Sequence, residues 1–213
     1  MARDFVAVMK ALGHERFAVL GHDRGARVSY RVALDYPDRV SRLGIVEIVT
    51  TANMWANFNA EMAVKTYHWP LLAQPHPLPE TLIGADLVYY LEHTLAAWTK
   101  ARSLDPFDPV ALALYRSAFT QPERVSALCE DYRAGATIDR ALDKADRAAG
   151  NRIAAPLYFV WAKHGFPAQT GDPLGFWREW TNELSGTEID FGHFGPEENP
   201  DAIIFAVGHS LRK

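Results

Sequence analysis

FAVLGHDRGARVSYRVALDYP, residues Phe17–Pro37, is the stretch whose reading decides the fold. Phe17 to Gly21 are apolar or small and predict a buried strand. The amphipathic run from Arg24 to Tyr36 predicts a helix that stops at Pro37. Between them lies Gly21-His22-Asp23-Arg24-Gly25. This is the small-x-nucleophile-x-small pattern of a nucleophile elbow, with Asp at the usual Ser position. The turn is sharp, and Gly21 and Gly25 are expected to leave room for a strained backbone that pushes Asp23 out of the sheet. The helix N-terminus beneath it favours an ionised carboxylate, and neighbouring N–H groups can steady an oxyanion.

A carboxylate nucleophile changes the chemistry. It can displace a leaving group from saturated carbon and become an ester, which water then hydrolyses. Dehalogenation and epoxide opening both fit. The alternative is an ordinary strand–turn–helix in which Asp23 is only an N-cap. Arg24 and Arg27, three residues apart, lie on one helix face beside Asp23. Two guanidinium forks suit the carboxylate of a small substrate, although arginines at a helix start also serve simple surface solvation.

GHDRGAR followed by RVALDYPDRV resembles the fluoroacetate (haloacetate) dehalogenases of the α/β-hydrolase superfamily. The resemblance covers nearly the whole chain, because several separated motifs recur in the family's order.

Composition sets outer bounds. The 213 residues are 48% hydrophobic and 23% charged, ordinary for a soluble globular protein. A net charge of −4 disfavours a nucleic-acid partner. The single Cys129 leaves no internal disulfide and fits a reducing, cytoplasmic compartment. No apolar run reaches membrane-spanning length, the N-terminus lacks a signal-peptide pattern, and no repeat is visible.

Upstream of the elbow, Asp4 is expected to cap a helix carrying Phe5, Val8, Met9 and Leu12 inward, ended by Gly13. Downstream, Leu43 to Val49 predicts a second buried strand. Strand–helix–strand with short loops implies parallel pairing. Glu47 interrupts that strand, and a lone carboxylate among Ile and Val is costly to bury unless paired. It is either a solvent-facing strand end or, by its order in the chain, the triad acid. The family places Asp there, so Glu is a departure that keeps the carboxylate. Residues 51–150 read as helices, with Pro109 and Pro122 in first turns. Leu91, Leu95 and Trp98 share one face, and Val125, Leu128 and Tyr132 another. Leu157 to Trp161 predicts a third strand, Phe176, Trp177 and Trp180 a helix, and Thr187 to Phe191 a fourth strand. Asn199-Pro200-Asp201 starts a last helix with Ile203, Ile204, Val207 and Leu211 inward.

The resemblance implies an α/β-hydrolase core from residues 1–50 and 151–213, mostly a parallel sheet, with a helical cap inserted at 51–150. It implies that His193, on Gly192-His193-Phe194 after the fourth strand, is the catalytic histidine oriented by Glu47. It implies that His68-Trp69-Pro70 and Asp131-Tyr132-Arg133-Ala134-Gly135 bring His68, Trp69 and Tyr132 to a departing halide, with Trp98 lining the same pocket. Without it, a helical Trp is ordinary packing and a lone His an ordinary hydrogen-bonded side chain. His164-Gly165-Phe166-Pro167 looks like the HG-x-P loop that supplies an oxyanion-hole N–H, but lies downstream of the nucleophile, and is read as coincidence. The family carries several strands and its HG-x-P loop ahead of the nucleophile strand. Their absence leaves the elbow strand an expected edge with exposed apolar faces, hence marginal stability, aggregation or compensating oligomerisation.

The expected activity is hydrolytic dehalogenation of a small 2-haloacid to a 2-hydroxy acid and halide through an Asp23 ester. Arg24 and Arg27 hold the substrate carboxylate, and no metal or organic cofactor is required. No nucleic-acid or membrane partner is expected, and the family suggests a homodimer. Two alternatives stand beside it: an epoxide hydrolase with Tyr132 protonating the ring oxygen, and a truncated relative that alkylates Asp23 once and stalls.

Overall fold

Period-two burial makes β1 (Phe17–His22) a half-covered strand: Phe17, Val19 and Gly21 are buried, whereas Ala18 and Leu20 are exposed. The computed structural model describes residues 1–212. Ahead of β1 runs α1 (Ala2–Ala11), and after it α2 (Asp23–Asp35) leads to β2 (Val40–Val46). Two compact units are formed, one from Met1–Thr50 with the chain from Asp146 onward, the other from Thr51–Ala145.

The helical unit contains α3 (Thr51–Ala56), α4 (Ala60–Lys65), α5 (His68–Leu72), α6 (Leu78–Gly84), α7 (Leu87–Trp98), α8 (Pro109–Phe119), α9 (Pro122–Ala136) and most of α10 (Ile138–Ala149). Pro109 and Pro122 are the first residues of α8 and α9, where a missing N–H costs nothing. Asp86 and Asp108 cap α7 and α8 through their side chains. A buried carboxylate, Asp143 of α10, accepts the Ala52 N–H at the start of α3 at 2.9 Å.

The other unit continues with β3 (Leu157–Ala162), the short helices α11 (Phe166–Gln169) and α12 (Gly175–Arg178), β4 (Leu184–Ile189), α13 (Gly195–Glu198) and α14 (Pro200–Arg212). Its four strands are parallel in the order β1-β2-β3-β4, with Leu43 opposite Val19 and Leu157. This is the α/β-hydrolase arrangement expected from the sequence. Alternation sorts the core. Val19, Leu43, Ile45, Leu157 and Phe159 face Ala26, Tyr30, Val32 and Ala33 of α2, together with Trp177 and Trp180. Val46, Val160 and Ala162 face the opposite way, onto Ile203, Ala206 and Val207 of α14.

Several local expectations need correction. Met1, not Asp4, precedes α1, and Asp4 pairs with the terminal ammonium at 3.2 Å. Phe5, Val8 and Leu12 are exposed, and the stripe through Ala2, Val6 and Met9 packs on the core instead. Both stripes have helical spacing and share Met9, so tertiary packing chose between them. β2 stops at Val46 because Glu47 takes φ 54°, outside the strand region. β4 begins three residues early, since Leu184, Ser185 and Gly186 pair with β3 despite their weak apolar pattern. Trp180 lies past the four-residue α12, though it stays buried beside Trp177. On α14, Ile204 is 64% exposed and Ala206 takes the inward place.

Candidate active site

At the C-terminal ends of the parallel strands the backbone turns tightly. Asp23 follows β1 as the first residue of α2 and holds φ 47°, a left-handed conformation costly for a non-glycine residue. Gly21 makes that turn possible, because a Cβ there would lie 2.5 Å from the Ala26 Cα and 2.4 Å from the Ser29 Oγ. Gly25, expected to share this task, has nothing within 4 Å of where its Cβ would be. Only the strand-side glycine is required for close approach.

His193 follows β4 on the loop after Phe191, and its Nε2 lies 3.7 Å from Asp23 Oδ1. Burial disfavours charge on Asp23. The hydrogen bond and positive charge of His193, with Arg27 adding to them, outweigh it and hold the carboxyl far below the usual carboxylate range. Burial likewise opposes charge on His193, but Asp23 and, behind it, Glu47 raise its pKa above the ordinary imidazole value. Each member of the pair therefore favours the charged form of the other.

Glu47 comes directly after β2 and is 7% exposed. Its carboxylate accepts the Ala162 N–H at the end of β3. The same carboxylate fills the space above Gly165, where a Cβ would meet Oε1 at 1.8 Å. The strand-end Glu is thus buried and hydrogen-bonded rather than solvent-facing. His164-Gly165-Phe166-Pro167 forms the turn into α11, and its glycine seats Glu47.

Arg27 is buried one turn into α2, donates Nη1 to the Val49 carbonyl at 3.2 Å, and adds positive charge at Asp23. Arg24 is half-buried on the first turn. His22 carries a role the sequence did not suggest. Its Nε2 donates to the His193 carbonyl at 2.7 Å. Burial first, then the charge of His193, pushes the His22 pKa down to about 4, so it stays neutral with its proton on Nε2. Glu198 is the other residue the sequence left unassigned, accepting the backbone N–H groups of Gly192 and Phe194. A polar side chain just beyond the histidine loop was the only signal for it.

Within the helical unit, His68, Trp69, Trp98 and Tyr132 form one aromatic cluster. The His68 ring meets Tyr132 and Trp98 edge-on at 5.8 and 5.6 Å, and Trp69 meets Tyr132 at 5.7 Å. His68, Trp69 and Tyr132 are all buried. Lys65 Nζ sits 5.9 Å from the centre of the Trp98 ring. Burial of three side chains that each carry an N–H or O–H is a costly arrangement unless those groups have acceptors. Among the described residues, no three His, Cys, Asp or Glu side chains group as a metal site, and no helix is long and apolar enough to cross a membrane.

The alpha/beta hydrolase fold family matches residues 1–200. A fluoroacetate dehalogenase from Burkholderia sp is 36% identical over 201 residues, 94% of this chain. The chain spans 65% of that relative's length. A soluble epoxide hydrolase from Corynebacterium sp. (strain C12) is 27% identical over 96% of this chain and 70% of its own. Among solved structures, a Pseudomonas aeruginosa protein provisionally described as an epoxide hydrolase superposes with a TM-score of 0.94. It is 43% identical over 99% of this chain and 70% of its own.

Proposed function

Because the chain belongs to the alpha/beta hydrolase family, and an ionised Asp stands where a nucleophile belongs, we propose that it hydrolyses small 2-haloacids through an aspartyl ester. The buried Arg27 beside Asp23 is the observation that carries the substrate class. A guanidinium held next to a nucleophilic carboxylate offsets the repulsion between that carboxylate and an anionic substrate, and with Arg24 one turn away it can clamp the substrate carboxylate by paired hydrogen bonds.

The chemistry runs in two halves. An Asp23 oxygen attacks the α-carbon, the carbon–halogen bond breaks, and halide leaves with the bonding electrons. In this reading His68, Trp69 and Tyr132 donate to that halide. Fluoride leaves carbon poorly, so donors matched to the developing anion lower the barrier most. His193 then takes a proton from water, whose oxygen attacks the ester carbonyl. The acyl–oxygen bond breaks, the 2-hydroxy acid leaves with a proton, and Asp23 is restored. Esterification also removes the Asp23 charge that raises the His193 pKa, which favours the neutral imidazole when the base is needed.

An epoxide hydrolase is the second reading. The buried Tyr132 phenol, held edge-on against the His68 ring, favours it, because a phenol can protonate an opening ring. The 43% identity to the Pseudomonas aeruginosa structure adds support. It leaves the buried Arg27 with no substrate group to bind.

The test is halide release from fluoroacetate and chloroacetate by the purified chain, with intact mass recorded alongside. Sustained release that vanishes in Asp23→Asn supports dehalogenation. Diol formation from an epoxide, without halide release from haloacetates, moves the assignment to the second reading. A stable mass increase without turnover identifies a nucleophile lacking its hydrolytic half.

A further inference from the structure

The loop that carries His193 is held from three sides at once. Glu198 Oε2 accepts the Gly192 N–H at 2.9 Å, and Oε1 accepts the Phe194 N–H at 2.9 Å. One carboxylate therefore grips the N–H groups of the two residues that flank His193. The carbonyl of His193 itself accepts from His22 Nε2 at 2.7 Å. The turn closes on itself, since the Phe194 carbonyl accepts the N–H groups of Glu197 and Glu198 at 2.9 and 2.8 Å.

This is more than a loop of three residues needs for order. A single hydrogen bond leaves a peptide plane free to swing about it. Two bonds from one rigid carboxylate, to the N–H groups of the residues on either side of His193, bridge the Gly192–His193 segment and restrict the torsions within it. They therefore limit the direction of the His193 Cα–Cβ bond. The imidazole they aim ends 3.7 Å from Asp23. Glu198 acts on that imidazole through the loop backbone.

We propose that Glu198 is a positioning residue for the second half of the reaction, fixing the His193 backbone so that its imidazole meets the water attacking the Asp23 ester. The inference rests on the assignment of Asp23 as nucleophile and His193 as base. It separates the two half-reactions, because alkylation of Asp23 needs no proton transfer from His193, whereas ester hydrolysis does. Displacement of a catalytic group by about 1 Å costs up to ~100-fold in rate.

Glu198→Gln is the discriminating variant. It keeps the size of the side chain, but its amide accepts one of the two N–H groups and turns its own NH2 toward the other. Rapid-quench intact-mass measurement with chloroacetate should show alkylation within about threefold of the parent and ester hydrolysis slowed about 10- to 100-fold. The ester then accumulates. Equal slowing of both halves, or neither, overturns the proposal. An NMR titration of the His193 ring provides a readout that needs no turnover. In the variant its pKa should fall from the raised value toward the ordinary 6.5, as the ring drifts from Asp23. An unchanged titration overturns the proposal even if the chain has no dehalogenase activity, and a chain that never alkylates refutes the functional reading alone. Should Glu198→Gln fail to fold, Glu198→Asp carries the same two readouts, with a charge retained and a reach too short to hold both N–H groups.

Discussion

Gly165 is the seat of Glu47: a Cβ at position 165 would lie 1.8 Å from Glu47 Oε1 and 3.0 Å from Oε2. The carboxylate is one methylene longer than the Asp that the dehalogenase resemblance implies at this position. That methylene carries it to the Ala162 N–H and over a residue without a side chain. Gly165→Ala should therefore displace Glu47 rather than merely crowd a turn. Overpacking of this kind costs about 1–3 kcal/mol. Thermal denaturation should show a lowered midpoint, and turnover should fall about 10-fold or more as His193 loses its oriented counter-charge. Full activity in Gly165→Ala would mean that Glu47 has no part in orienting His193.

The charge pair of Asp23 and His193 gives the two half-reactions opposite sensitivity to acid. Alkylation needs ionised Asp23, whose pKa is held far below the usual range, so it persists as pH falls. Ester hydrolysis needs neutral His193, whose pKa in the free protein is raised. Lowering the pH from about 8 to about 5 should increase the fraction of chain trapped as ester, read by intact mass after quenching. An ester fraction that falls with acid would remove His193 as the base.

The same pair sets a pH window for stability. His193 has a raised folded pKa, so its contribution is complete below the ordinary 6.5 and is lost as pH rises through the folded value. Asp23 has a depressed folded pKa, so its share is complete above the ordinary 3.8 and is lost only as pH falls through the folded value. Asp23→Asn should thus lose most stability between those two pH values and converge on the parent in alkali. Denaturation midpoints at pH 5 and pH 9 check the sign, and a larger loss at pH 9 would contradict it.

Asp23 and Gly21 were legible in the sequence because the elbow is a local geometry: strand, sharp turn and helix lie within one continuous segment. Glu47 was legible as an anomaly, a carboxylate in an apolar run. What seats it was not, since Ala162 and Gly165 are more than a hundred residues away and the HG-x-P likeness there reads as coincidence. Glu198 was invisible for a related reason. Acids are common in the first turn of a helix, and nothing in Glu197-Glu198 says which one reaches back to Gly192 and Phe194. The failure at α1 has another cause. Phe5, Val8 and Leu12 have helical spacing, but so do Ala2, Val6 and Met9, and hydrophobic periodicity alone cannot rank two overlapping stripes.

In the helical unit, Asp143 is a buried carboxylate with a backbone partner that its loss would strand. It accepts the Ala52 N–H, one of the donors left without an intrahelical partner at the start of α3. Asp143→Ala leaves that N–H buried without its acceptor and should cost about 1–3 kcal/mol. Asp143→Asn keeps an acceptor oxygen and should cost less than half as much. Chemical denaturation followed by far-UV circular dichroism ranks the two. Equal losses would show that charge, not hydrogen bonding, is what Asp143 supplies.

Leu20 is the large exposed apolar residue of an edge strand. It lies on β1, which pairs with one strand alone among the described residues, and it is 45% exposed on the face where Ala18 is exposed too. An edge strand with an apolar open face is a template for association, and an outward lysine is the usual remedy. Leu20→Lys can place its ammonium in solvent while its methylenes cover the surface that Leu20 now covers over Gly44. Light scattering over a concentration series should therefore show less self-association, with a denaturation midpoint within a few degrees of the parent. The substitution lies three residues before Asp23 on a face turned from α2, so alkylation kinetics should not change. Undiminished association would place the sticky surface elsewhere, with Ile204 and Phe205 of α14, both largely exposed, as the next residues to change.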